Sequence, residues 1–134
     1  MKYLSRISAI PLPIRLAAIS FLFSLSVYAS SIFLPLYADE ELSASKFQVG
    51  LIASAYGAAY FGSSFVFGRL SDKYGRLTFV RLGLGLAVAA YLLQIVTSSP
   101  MALLAVRSFV GFCLGISSAA IMAYVYESEG EIGR

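Results

Sequence analysis

The sequence predicts an all-α membrane protein with four transmembrane helices, and three observations carry that prediction. The 134 residues are 59% hydrophobic and only 13% charged, with no histidine and no tryptophan. Mean hydropathy is +0.82, whereas soluble domains carry about 25% charged residues and far less apolar surface. The few charges collect between long uncharged runs, each close to the about 20 residues that one crossing of the hydrocarbon requires.

Taken in order, residues 16–38, 47–68 and 82–101 hold no charge, and 102–126 hold only Arg107. At 1.5 Å per residue the second run is about 33 Å long, enough to span with some tilt. Barrel strands would be about half as long and would alternate in polarity. The linkers then set the orientation. Lys2, Arg6 and Arg15 precede the first run, Asp39, Glu40 and Glu41 follow it, and Arg69, Lys73, Arg76 and Arg81 crowd the next linker. The positive-inside rule puts both termini and the second linker in the cytoplasm, and DEELSASK and the TSSP turn outside.

Net charge of +3 and a pI near 9.1 do not point to nucleic acid, because the basic residues sit at the ends of apolar runs and form no patch. Cys113 is the sole cysteine, so it has neither a disulfide partner nor neighbouring metal ligands. The basic N-terminus followed by Val27-Tyr28-Ala29 is also compatible with a cleaved signal peptide. Against that, the apolar run continues through SSIFLPLYA, which favours a retained first helix.

Within the spans, three features stand out. Small residues at four-residue spacing permit close helix approach in lipid. The second helix offers Ser54, Ala58 and Gly62 in that register, and the fourth Gly111, Gly115, Ala119 and Ala123, so both are expected to be tightly packed. Ser20, Ser24, Tyr28 and Ser31 share one face of the first helix, suited either to line a cavity or to bond within the membrane, and Pro35 near its outer end allows a bend. Arg107 is the only full charge inside a span, about 10 Å along its helix from Pro100, where a charge costs about 3 kcal/mol at the bilayer centre. It either snorkels to the outer headgroups or sits in a hydrated cavity.

The linker GRLSDKYGR, residues 68–76, resembles the GxLADRxGRK signature between the second and third helices of the major facilitator superfamily. Gly68, Leu70, Asp72, Gly75 and Arg76 match, and Lys73 is a conservative replacement. Five such matches arise by chance at on the order of one start in a million. LLAVRSFVGFCLG resembles, more weakly, the LxxxRxxQG motif of proton-coupled exporters in that superfamily: Leu103, Arg107 and Gly111 align, and Val110 replaces the glutamine. The ending EGEIGR looks like the loop after the fourth helix.

This resemblance implies the N-terminal part of a facilitator-type helical bundle, in which two six-helix halves rock about a central site. It implies a secondary transporter in the cell membrane, carrying a small-molecule substrate that is coupled in some members to protons, with no cofactor. Arg107 becomes a residue for substrate or proton coupling, and Ser24, Tyr28 and Ser31 become cavity-lining residues. Asp72 would face the positive N-terminal end of a helix in the other half and latch an inner gate, with Gly68 allowing close approach of the halves and Gly75 the turn. Four helices are about a third of the family's twelve, so a truncated or split member that needs the missing C-terminal helices is expected. A non-enzymatic membrane subunit and a self-assembling four-helix exporter remain as alternatives, the latter lacking the usual carboxylate in its first span. Enzyme chemistry is not expected, since the spans contain no histidine, no carboxylate and no Ser-x-x-Lys.

Overall fold

A computed structural model describes residues 12–132. Four helices account for nearly all of them: α1 Leu12–Glu40, α2 Lys46–Tyr74, α3 Arg76–Ile95 and α4 Pro100–Ile132. There is no strand among the described residues. Three helices are long and apolar enough to cross a bilayer, namely α2, α3 and the Pro100–Tyr124 part of α4. The helices overrun the uncharged runs, because backbone hydrogen bonds continue past the hydrocarbon wherever no residue interrupts them. Thus α4 continues through Ile132, so most of the EGEIGR ending is helical where a loop was expected.

Local chemistry fixes where each helix stops. Past α1, the amides of Glu41 and Leu42 both donate to the Tyr37 carbonyl, at 3.0 and 3.3 Å, and Ser43 reverses the chain with φ +50°. A capping box then opens α2: Ser45 Oγ accepts from the Gln48 amide, and Gln48 Oε1 accepts from the Ser45 amide at 2.8 Å, satisfying two donors that would otherwise be orphaned. Between α3 and α4 the turn is 96–99. Thr97 Oγ1 donates to the Gln94 carbonyl at 2.7 Å, and Pro100 takes the first helical position, where its missing N–H costs nothing.

The chain divides into two compact units between Pro35 and Leu36. In the first, α1 runs as a continuous helix to Pro35. Ser24, Tyr28 and Ser31 are exposed on it, and the Ser31 hydroxyl donates to the Val27 carbonyl at 2.8 Å.

The second unit is organised around α4. Half of its most apolar stretch is buried, against 11% of that of α2 and 17% of that of α3, because α2 and α3 both pack along it and touch each other little. Leu103, Val110, Cys113, Leu114, Ile116 and Ala120 of α4 form the core, with Ala87 and Ala90 of α3 and Ile52 of α2. Glycines set the spacing. A Cβ on Gly111 would overlap the Tyr56 carbonyl, and one on Gly115 would overlap the Tyr60 carbonyl and Ser63 Oγ. One on Gly83 of α3 would lie 2.9 Å from the Cys113 carbonyl oxygen. Towards the far end of α2, Phe67 meets Phe112 edge-on with centroids 5.6 Å apart, and Phe79 at 6.0 Å.

The Ser54, Ala58 and Gly62 ladder of α2 does not take part in this packing. All three are exposed, and nothing lies within 4 Å of a Cβ placed on Gly62. The physical reason is that the glycines of α4 admit the opposite face of α2, the one carrying Tyr56, Tyr60, Ser63 and Phe67, and one helix cannot turn both faces to the same neighbour. Gly111→Ala and Gly115→Ala should each cost about 1–3 kcal/mol through overpacking, whereas Gly62→Ala should be close to neutral. Unfolding in mixed detergent is the measurement, and equal costs at all three sites would contradict the packing face assigned to α2.

Candidate functional site

Two polar constellations lie in the second unit, one at the α2–α3 junction and one between the helices at Arg107. The first is built from the motif 68–76, which is almost wholly helical: α2 runs to Tyr74, α3 starts at Arg76, and Gly75 alone breaks them. Gly75 has φ +98°, a conformation that side chains with a Cβ rarely adopt, and its amide still donates to the Ser71 carbonyl at 3.1 Å. Ser71 is fully buried and donates its hydroxyl to the Gly68 carbonyl at 2.8 Å. Gly68 faces Ala119 of α4, so in this chain it serves contact between two helices of the same bundle.

Because the turn is helical, Asp72 and Arg76 are four residues apart on one face. Asp72 Oδ1 lies 2.9 Å from an Arg76 guanidinium nitrogen, yet 59% of the Asp72 side chain is exposed. Exposed pairs of this kind contribute about 0–1 kcal/mol. The pair therefore orients the carboxylate more than it stabilises the fold. Arg69 turns away to lie over the Phe65 ring at 4.3 Å, Lys73 lies near the Tyr74 ring, and Leu70 is exposed. A shallow cleft of about 340 Å³ opens between Asp72, Gly75, Arg76 and Thr78 and Tyr124 on α4.

The second constellation encloses Arg107, of which 3% is exposed. Its guanidinium lies over the Tyr56 ring of α2, 4.3 Å from the centroid, and Tyr60 stacks beside Tyr56 at 6.1 Å. Gly83 of α3 faces Cys113 and Ser117 of α4, which across the short 96–99 turn brings Tyr91 of α3 level with Arg107, so all three helices of the unit border this level. A cation over an aromatic face gains about 2 kcal/mol when desolvated, which offsets much of the insertion cost of the charge. The Arg107 side chain is thus held among helices, and snorkelling along the bundle surface is not how the chain accommodates it.

The sequence pointed to Arg107 but not to its surroundings. Tyr56 and Tyr91 lie in apolar runs as isolated polar residues, and only the register of α2 and α3 on α4 brings them to its level. Ser24, Tyr28 and Ser31 belong to the first unit.

A sequence profile described as Major Facilitator Superfamily matches residues 16–130. The chain belongs to that superfamily. Comparison with curated proteins yields no match, and neither does comparison with solved structures. Membership makes this a membrane protein of the major facilitator transporter type, a class of carriers for small molecules in a lipid bilayer. Both constellations fall inside the matched residues of this facilitator.

If the Tyr56 ring holds Arg107, Tyr56→Leu should lower stability by about 2 kcal/mol while Tyr56→Phe, which keeps the ring, should cost under about 1 kcal/mol. A double-mutant cycle with Arg107→Met measured by detergent unfolding should return a coupling of about 1–2 kcal/mol; additive losses would mean that the stacking contributes nothing.

Proposed function

We propose that this facilitator is a secondary active transporter for a small solute in the cell membrane, working as one part of a larger helical bundle. In this reading residues 16–38, 47–68, 82–101 and 102–126 are its spans and both termini are cytoplasmic. The observation that carries the proposal is the Asp72–Arg76 pair at a one-residue helix break: it presents an oriented, exposed carboxylate at the basic end of α2. A carboxylate so placed can meet the positive end of a helix supplied from outside these four. Support for a larger bundle comes from the exposed small-residue face of α2, Ser54, Ala58 and Gly62, where a Cβ on Gly62 would meet nothing within 4 Å. Such a face suits close approach of a further helix.

Within this reading Arg107 couples substrate or proton binding to movement, and Ser24, Tyr28 and Ser31 line the path. Lys73, Arg69 and Arg81 hold the α2–α3 junction on the cytoplasmic side, and the acidic segment after α1 lies outside.

Orientation is tested by thiol labelling in a Cys113→Ser background. Ser43→Cys should react with an impermeant reagent from outside, and Tyr74→Cys only after permeabilisation; the reverse pattern would overturn the topology.

Transport is tested with a chimera in which residues 12–132 replace the first four helices of a well-behaved facilitator. Asp72→Asn should leave insertion and stability unchanged within about 0.5 kcal/mol but cut turnover at least about tenfold, the scale expected when a gating contact worth about 1.4 kcal/mol is lost. Undiminished turnover would leave Asp72 as a local helix-end residue. Solute flux by the isolated chain in vesicles, abolished by Arg107→Ala, would instead establish the self-assembling exporter.

A further inference from the structure

The hydroxyl of Tyr91 and the side-chain carbonyl oxygen of Gln94 are both closed off from solvent, and neither has a hydrogen-bond partner among the described residues. They are three residues apart on α3 and therefore share a face. Gly83 of α3 faces Cys113 and Ser117 of α4, so Tyr91, about two turns further towards the 96–99 turn, comes level with Arg107, and Gln94 stands one turn nearer that turn. Inside a bilayer a protein cannot leave such atoms to the lipid, because hydrocarbon offers nothing to bond with. In native structures buried polar atoms of this kind are bonded by protein or by water held in place.

From this placement we infer that water occupies the interior between α3 and α4 beside Tyr91 and Gln94, and that these two residues form a hydration site that solvates the Arg107 cluster. The inference rests on the reading of these helices as membrane spans. The chemistry of the two atoms fits water rather than a purely accepting or purely donating group. Gln94 Oε1 can only accept, the Tyr91 hydroxyl can donate, and one water offers both functions at once. The positions one turn back on the same face of α3 are short, Ala87 before Tyr91 and Ala90 before Gln94, and both are buried, and the Gln94 side chain has the rotamer freedom to admit a molecule. Gln94, lying in the last turn of α3, gives that water a route to the turn at 96–99.

Radiolytic footprinting tests this on the unmodified chain in lipid nanodiscs, because short X-ray pulses create hydroxyl radicals from water where it sits. Oxidation of each residue is read by mass spectrometry and normalised to the same residue in the unfolded chain. Tyr91 and Tyr56 should be modified about tenfold faster than Phe67 and Phe79, whose rings pack against each other elsewhere in the same bundle and which have no polar atoms to hold water. Equal normalised rates would overturn the hydration site. In a second arm Tyr91→Phe combined with Gln94→Leu should bring Tyr56 oxidation down to the phenylalanine level, and unchanged oxidation would show that these two atoms do not hold the water. The thiol labelling described above reports orientation separately, so a reversed topology and a dry interior give different results.

Discussion

Everything else in the second unit depends on how closely α4 lets its neighbours approach. In lipid there is little hydrophobic gain in bringing one apolar helix to another, so the association must come from van der Waals contact and from polar groups satisfied between helices. Glycines at 111 and 115 bring the backbone of α2 against α4, and Gly83 brings α4 against α3. That geometry makes α4 the shared wall of the bundle. It also determines which residues of α2 point inward, and the inward set is the aromatic one.

The enclosure of Arg107 follows from the same contact. With α2 drawn in at Gly111, the Tyr56 ring is delivered beneath a guanidinium one turn earlier on α4. A larger residue at 111 would hold the ring away and leave a charge in a poorly solvated interior. Packing and electrostatics are therefore not separate contributions here: the small residue creates the space in which the aromatic face meets the cation.

Helix number and order were legible because composition and charge placement are dictated by the bilayer, and the motif at 68–76 was legible because its residues lie side by side in sequence. The helical character of that motif was not, since Gly68, Asp72 and Gly75 read as breaks when counted singly. Which face of α2 meets α4 was not legible for a related reason. Ser54, Ala58 and Gly62 form a good ladder, but so do the positions on the other side once the partner supplies the glycines, and one sequence does not say which helix provides the small side of a contact. Tyr91 and Gln94 carried no local signal at all, because a polar residue in an apolar run becomes informative only when its neighbours across the helix interface are known.

The single-residue junction at Gly75 has a mechanical meaning. Consecutive Cα atoms are about 3.8 Å apart, so the ends of α2 and α3 at Tyr74 and Arg76 cannot separate by more than about twice that distance. The two helices share this joint with no slack, and Asp72 and Arg76 grip each other across it. In the proposed gate, a push on the exposed carboxylate would reach two helices directly, one carrying Tyr56 and the other Tyr91, with no loop between them to absorb it.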